Sequence, residues 1–159
     1  MVHLKKLLKK EKIRTLRFHE GAYALVSDPI QKVLETMKEK KVGAAILVES
    51  STKKHPVGIF TERDVLTKII QQKINLSKPV GTFMTPSPKT LSQDHTMADI
   101  IQLMNQGGYR HIPIVDEKGD ALGIVTARDI LKYLAEHFPY EVYNLPPDPR
   151  QIIRTAEGA

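Results

Sequence analysis

The 159-residue chain contains no cysteine, which excludes disulfides, thiolate metal sites and thiol nucleophiles. No apolar run approaches the ~18 residues that a membrane span needs. Neither a GxxxxGK[ST] phosphate loop nor a GxGxxG turn occurs. The six histidines, at 3, 19, 55, 95, 111 and 137, include no pair at metal-ligand spacing on one helix. No grouping of Ser, His and an acid stands out from background. An enzyme is therefore the least expected class, and neither a required cofactor nor a metal is expected.

What remains suits a globular protein of about one domain. Hydrophobic residues make up 41% and charged residues 26%, an ordinary balance for a folded, water-soluble chain. With no signal peptide, the Asn75-Leu76-Ser77 sequon reads as chance and a cytoplasmic location is the expectation. The net charge of +6 has one source. Residues 1–17 hold Lys5, Lys6, Lys9, Lys10, Lys12, Arg14 and Arg17 against Glu11, and the other 142 residues carry 17 basic and 17 acidic side chains. Leu4, Leu7 and Leu8 among those lysines form a short amphipathic pattern. Such an arm suits nucleic acid, a membrane surface or an acidic protein. The reading preferred here is plainer: an end helix whose leucines pack on the body.

Residues 58–66 read GIFTERDVL and residues 123–131 read GIVTARDIL, identical at six of nine positions. The match extends backwards. Ile30, Val33, Leu34 and Met37 make one apolar helix face, and Met97, Ile100, Ile101 and Met104 repeat it 67 residues later. The apolar run from Ala44 to Val48 is answered by His111 to Val115 at the same displacement. The displacement then falls to 65, because ESSTKKHPVG is ten residues long where DEKGDALG is eight. Insertions belong in surface turns, and Lys118-Gly119-Asp120 is turn chemistry.

The expected fold is therefore α+β: two pseudo-twofold-related β-α-β-β-α units, with helices packed on small mixed sheets. The first unit reads as strand 22–26, helix 29–40, strands 44–49 and 56–60, and helix 62–73. The second reads as strand 89–92, helix 96–106, strands 111–116 and 121–125, and helix 127–137. The two strands joined by a turn should be antiparallel, and the strand reached across a helix parallel to one of them. A unit of ~60 residues buries too little surface to be comfortable alone, so the two should share a core.

At each repeated junction a strand runs into a helix start. Thr61 and Thr126 read as N-caps, with Asp64 and Asp129 three residues on, close to a capping box. Capping makes no demand for Gly58 or Gly123 before the cap, nor for Arg63 or Arg128 between cap and acid. Those glycines allow another backbone or a flat ligand to approach the strand. The helix start suits an oxyanion such as phosphate, which either arginine can grip bidentately. Asp64 and Asp129 suit the two hydroxyls of a ribose. The small residues Gly43, Ala44 and Ala45, followed by Ile46, leave room for a planar base, while Tyr109, Arg110, His111, Ile112 and Pro113 hold the matching strand. Pro113 removes one ladder donor, implying an edge strand or an irregularity there.

GIFTERDVL and GIVTARDIL, each after its helix and hairpin, resemble the signature of cystathionine-β-synthase (CBS) domains in tandem. FMTPSPKTLSQDHTMADIIQLM is similar to the usual beginning of such a domain and YRHIPIVDEKGDALGIVTARDIL to its body, so that the resemblance covers about residues 18–137. It implies a pair of units with clefts between them that bind AMP, ATP or S-adenosylmethionine and regulate a partner protein. Carried over, Thr61 and Thr126 meet phosphate, Asp64 and Asp129 hold ribose, and Gly43–Ile46, Arg110–Pro113, Thr85 and Pro86 line the base pocket. The first unit departs from the family at RFHEGAYALVSD, which lacks the MTP lead-in of the second. On that ground the cleft using Thr126 and Asp129 ranks first.

The expected organisation is a basic arm at 1–17, CBS domains at 18–79 and 80–137, and a proline-rich tail at 138–159. The tail should run extended, with Phe138, Tyr140, Val142, Tyr143 and Leu145 packed on this chain or on a second copy, and disorder past about 150. The leading functional expectation is a regulatory adenosyl-ligand sensor, forming a homodimer and acting on an unidentified protein. The alternative is a ligand-free interaction scaffold whose T-x-R-D motifs only cap helices. Contact with nucleic acid or membrane through residues 1–17 is a third class.

Overall fold

The computed structural model describes residues 2–16 and 20–139, with Val2 and His3 described by backbone alone. Tyr140, Val142, Tyr143, Leu145 and the lead-in residues 17–19 lie outside the described residues.

In the first unit, β1 (Ala22–Leu25) leads into α2 (Ile30–Lys40), then β2 (Ala44–Val48) and β3 (Gly58–Thr61). α3 opens as Glu62–Asp64 and continues with wider π-helical turns over Val65–Ile70. The second unit repeats the order in β5 (Leu91–Ser92), α4 (Met97–Gly107), β6 (His111–Val115), β7 (Ala121–Thr126) and α5 (Ala127–His137). β1 pairs parallel with β2 and β5 with β6, while the hairpins β2–β3 and β6–β7 are antiparallel. The expected α+β pair of units is present. One strand was not expected: β4 (Thr85–Pro86), from the lead-in of the second unit, extends the sheet of the first beside β3.

Alternation of side chains builds three cores. Ala22, Ala24, Ile30, Val33, Met37, Ala45, Leu47 and Phe60 fill the first unit, and Met97, Ile100, Ile112, Ile114, Val125 and Ile130 the second. Ala44, Ile46, Val48 and Ile59 meet Ala121 and Ile124 between them, which is the shared core that two small halves require. Pro113 sits in the middle strand of its sheet, not at an edge. It lies one step before the ladder with β5, which pairs only Ile114 and Val115, and the irregularity falls at Ile114/Val115.

The segments that precede each unit are exchanged. Residues before the first unit dock on the second, and residues before the second dock on the first. Ile13 N–H donates to the His95 carbonyl and Val80 N–H to that of Asp28, both at 2.9 Å. Arg14 N–H reaches Gln93 O at 3.0 Å, and Gly81 N–H reaches Val26 O at 2.9 Å. Met97 N–H donates to Glu11 O at 2.8 Å, and Ile30 N–H to Lys78 O at 3.0 Å. Every one of these contacts has its twin 67 residues away, so the repeat begins near residue 11. Short 3-10 turns, Ile13–Thr15 and Val80–Thr82, carry the buried plugs Ile13 and Val80. The leading helix α1 (Val2–Leu8) lays Leu8 against the second core, and Phe138 closes the same core from the other end of the chain.

Candidate functional site

Both T-x-R-D motifs form complete capping boxes. Asp129 Oδ2 accepts from Thr126 N and Oγ1, each at 2.7 Å, while Thr126 Oγ1 accepts from Asp129 N at 3.2 Å. Asp64 Oδ2 accepts from Thr61 N at 2.9 Å and Thr61 Oγ1 at 2.8 Å. A third box of the same geometry, Thr96 with Asp99, starts α4 away from either cleft. Capping is therefore a general device of this chain. What distinguishes the two junctions is the cavity in front of them.

Two clefts open there, and each crosses between units. The wide cleft, about 1000 Å³, joins Thr126, Arg128 and Asp129 of the second unit to Gly21, Val42, Gly43 and Ala44 of the first. The narrow cleft, about 330 Å³, joins Thr61, Arg63 and Asp64 of the first unit to Thr85, Tyr109 and Ile112 of the second. The Thr85 lead-in thus faces Thr61 and Asp64, not Thr126. The reason given for ranking the Thr126 cleft first is corrected by this exchange of segments.

Glu62, Arg110 and His111 line both clefts and form the wall between them. A Cβ on Gly43 would lie 3.2 Å from Glu62 Oε2 and 3.3 Å from His111 Nε2, so the absent side chain at 43 lets carboxylate and imidazole close over the strand. Burial pushes the His111 pKa below its ordinary value. Glu62 and Asp129 oppose that shift, while Arg110 and Arg63 add to it. Asp64 is only 7% exposed, and its second oxygen pairs with Lys68 Nζ at 2.7 Å. The second unit has Tyr133 where the first has Lys68, and its hydroxyl donates to Glu11 at 3.2 Å instead.

Of the expected site residues, Ala45, Ile46, Pro86 and Pro113 line neither cleft. Ala45 and Ile46 are fully buried in the cores, and Pro86 stands exposed on β4. A Cβ on Gly58 would run into the Met84 side chain, so its close neighbour is a side chain of this protein. Sequence reading missed Lys38, Lys41, Glu62, Val65 and Leu66 in the wide cleft and Pro88 and Lys89 in the narrow one. The repeat held a signal for one of them: Lys41 occupies the position of Gly108, and both end a helix in the left-handed region, at φ 54 and φ 64.

A model of the CBS domain family matches residues 22–71 and again 80–136. The chain belongs to the CBS domain family. It is 32% identical over 107 residues to an uncharacterised 17.7 kDa protein of Acidianus ambivalens, covering 67% of this chain and 63% of that one. It is 30% identical over 126 residues to the mitochondrial CBS domain-containing protein CBSX3 of Arabidopsis thaliana, covering 77% of this chain and 61% of that one. The chain thus spans less than two thirds of the length of either relative. Among solved structures, a CBS domain protein of Pyrobaculum aerophilum complexed with AMP superposes with a TM-score of 0.70 at 24% identity, over 79% of this chain and 98% of that one. CBSX2 in complex with AMP superposes with a TM-score of 0.63 at 23% identity, over 79% of this chain and 97% of that one. These likenesses establish the CBS-pair fold. Among the described residues of this CBS pair, no helix is long and apolar enough to cross a membrane, and no cluster of His, Asp or Glu is arranged to hold a metal ion.

Proposed function

We propose that this CBS pair is a regulatory module that binds an adenosine nucleotide or a related adenosyl compound and passes its occupancy to a partner protein. The observation that carries the reading is the crossed construction of the clefts. A helix start with Thr, Arg and Asp from one unit faces a strand and lead-in from the other, so a bound ligand bridges the two units. Apolar walls for a base (Val42, Ala44, Ile124) stand in the wide cleft beside cations for a phosphate. The AMP carried by two neighbours of the same fold agrees with this chemistry. Titration calorimetry against AMP, ADP, ATP and S-adenosylmethionine tests it. Binding of at least one, lost in Asp129→Ala, is expected; no binding at millimolar ligand would sink the reading.

Self-association is part of the proposal. Leu66 and Ile70 on α3 are 59% and 60% exposed, and Leu131, the counterpart of Leu66 on α5, is 65% exposed. Large apolar side chains left open at the equivalent places 66 and 131, with Ile70 beside the first, suit burial against a second copy. Sedimentation should show a dimer that Leu131→Glu weakens. The scaffold reading has one observation in its favour, the Thr96–Asp99 box, which caps a helix with no cleft in front of it. If Asp64→Ala and Asp129→Ala change stability alone and no ligand raises the melting temperature, the scaffold reading replaces the sensor.

A further inference from the structure

The clefts differ in the cations they hold. Lys38, Lys41, Arg110 and Arg128 line the wide cleft, against the carboxylates of Glu62 and Asp129. Among the described residues, none of these four cations takes part in an ion pair. Lys38 and Lys41 have no counterpart in the narrow cleft: their repeat positions hold Asn105, which does not line it, and Gly108, which does. A lysine near a helix C-terminus complements the carbonyl dipole, which suits Lys38 within α2. Lys41 lies past the helix end at φ 54, a conformation that favours glycine, and its twin position holds glycine. The dipole favours a cation at 41 too, but the left-handed backbone there favours glycine, so lysine at 41 runs against the backbone preference.

The narrow cleft adds Arg63 and Lys89 to the shared Arg110, but sets Glu62 at the first position of its own helix, where the wide cleft has Ala127. A carboxylate at that position competes with an incoming phosphate for the same helix start. Its volume, about 330 Å³, is at the lower end of the range for small-molecule pockets, and that of the wide cleft, about 1000 Å³, at the upper end.

Resting on the nucleotide reading above, the geometry points to the wide cleft as a site for an adenosine polyphosphate, with Lys38 and Lys41 meeting the phosphates beyond the first. Arg128, beside the capped start of α5, suits the phosphate nearest the ribose. Each further phosphate adds negative charge that needs a cation, and the two lysines are the cations that line this cleft alone and whose repeat positions hold no cation.

Calorimetry on the full chain at fixed ionic strength, with AMP, ADP, ATP and inorganic tripolyphosphate as probes, tests the assignment. ATP should bind about tenfold or more tighter than AMP, with ADP between them. The double variant Lys38→Ala/Lys41→Ala should keep AMP affinity within about threefold and bring ATP down to the AMP level. Unchanged AMP binding shows that the variant is folded. Should AMP match or exceed ATP, or should the double variant bind ATP like the parent, this inference is overturned while the sensor reading stands. Tripolyphosphate binding as tightly as ATP would also overturn it, by showing a plain polyanion patch. If no adenosine compound binds at all, the sensor reading falls first and takes this assignment with it.

Discussion

The two clefts descend from one motif and have become different places. Both keep the threonine, arginine and aspartate at a helix start, and both capping boxes have the same geometry within a few tenths of an ångström. Around that constant element almost everything differs. Glu62 stands opposite Ala127, Lys68 opposite Tyr133, and Gly43–Ala44 opposite Arg110–His111. The backbone demand of a capped helix start is met by few residue types, so it persists in both halves. The surrounding positions answer only to a ligand or to the other unit, and they have diverged.

The exchange of leading segments gives the sharpest test of how far the halves remain equivalent. Ile13 and Val80 are twins, both 0% exposed, each plugging the unit it does not precede. Ile13→Ala should cost about 2–5 kcal/mol, and Val80→Ala somewhat less because a smaller side chain is lost. Urea denaturation measures both. An Ile13→Ala cost under about 1 kcal/mol would show that the basic arm is an appendage, breaking the equivalence.

Next in size are the caps. Asp64→Ala removes a box and also strands Lys68, so a loss of about 2 kcal/mol or more is expected from thermal or urea unfolding. Asp99→Ala removes a box alone and should cost about 1 kcal/mol, with no effect on any ligand. Equal losses for the two would mean that the Lys68 contact contributes nothing. Asp99 adds a pH signature. The Thr96 amide and hydroxyl hold its carboxyl below the ordinary value of 3.8. Its stabilising contribution is therefore full above 3.8 and disappears as pH falls below that through the folded value. Asp99→Asn should flatten the acid limb of the stability curve.

The repeat, the element order and the strand directions were legible because they are carried by periodicity and by turn chemistry. Ile30, Val33, Leu34 and Met37 can face only one way on a helix, and their copies at 97–104 repeat the statement. The crossing of the clefts was not legible. It depends on where residues 11–16 and 78–84 go in space, and those stretches share little beyond Thr15 and Thr82 and the apolar pairs Ile13/Val80 and Leu16/Phe83. Glu62 was equally hidden. Next to a cap it reads as a charge for the helix dipole, whereas the missing side chain at Gly43 draws it over the strand into both clefts.

The smallest expected effect separates the halves at their common wall. His111 occupies the place that Ala44 holds in the first unit, so only one side of the repeat can titrate there. The ring is faced by Glu62 and Arg63 from α3, Asp129 from α5 and Arg110 on its own strand. Burial outweighs the two carboxylates and lowers its pKa from 6.5. The unfolded chain then binds a proton before the folded one does, so stability should fall as pH drops below 6.5 towards the folded value and be flat above it. His111→Gln should remove that slope without moving stability at pH 8. A slope of opposite sign in the parent would mean that Glu62 and Asp129 hold the imidazolium, and that the wall between the clefts is charged near neutrality.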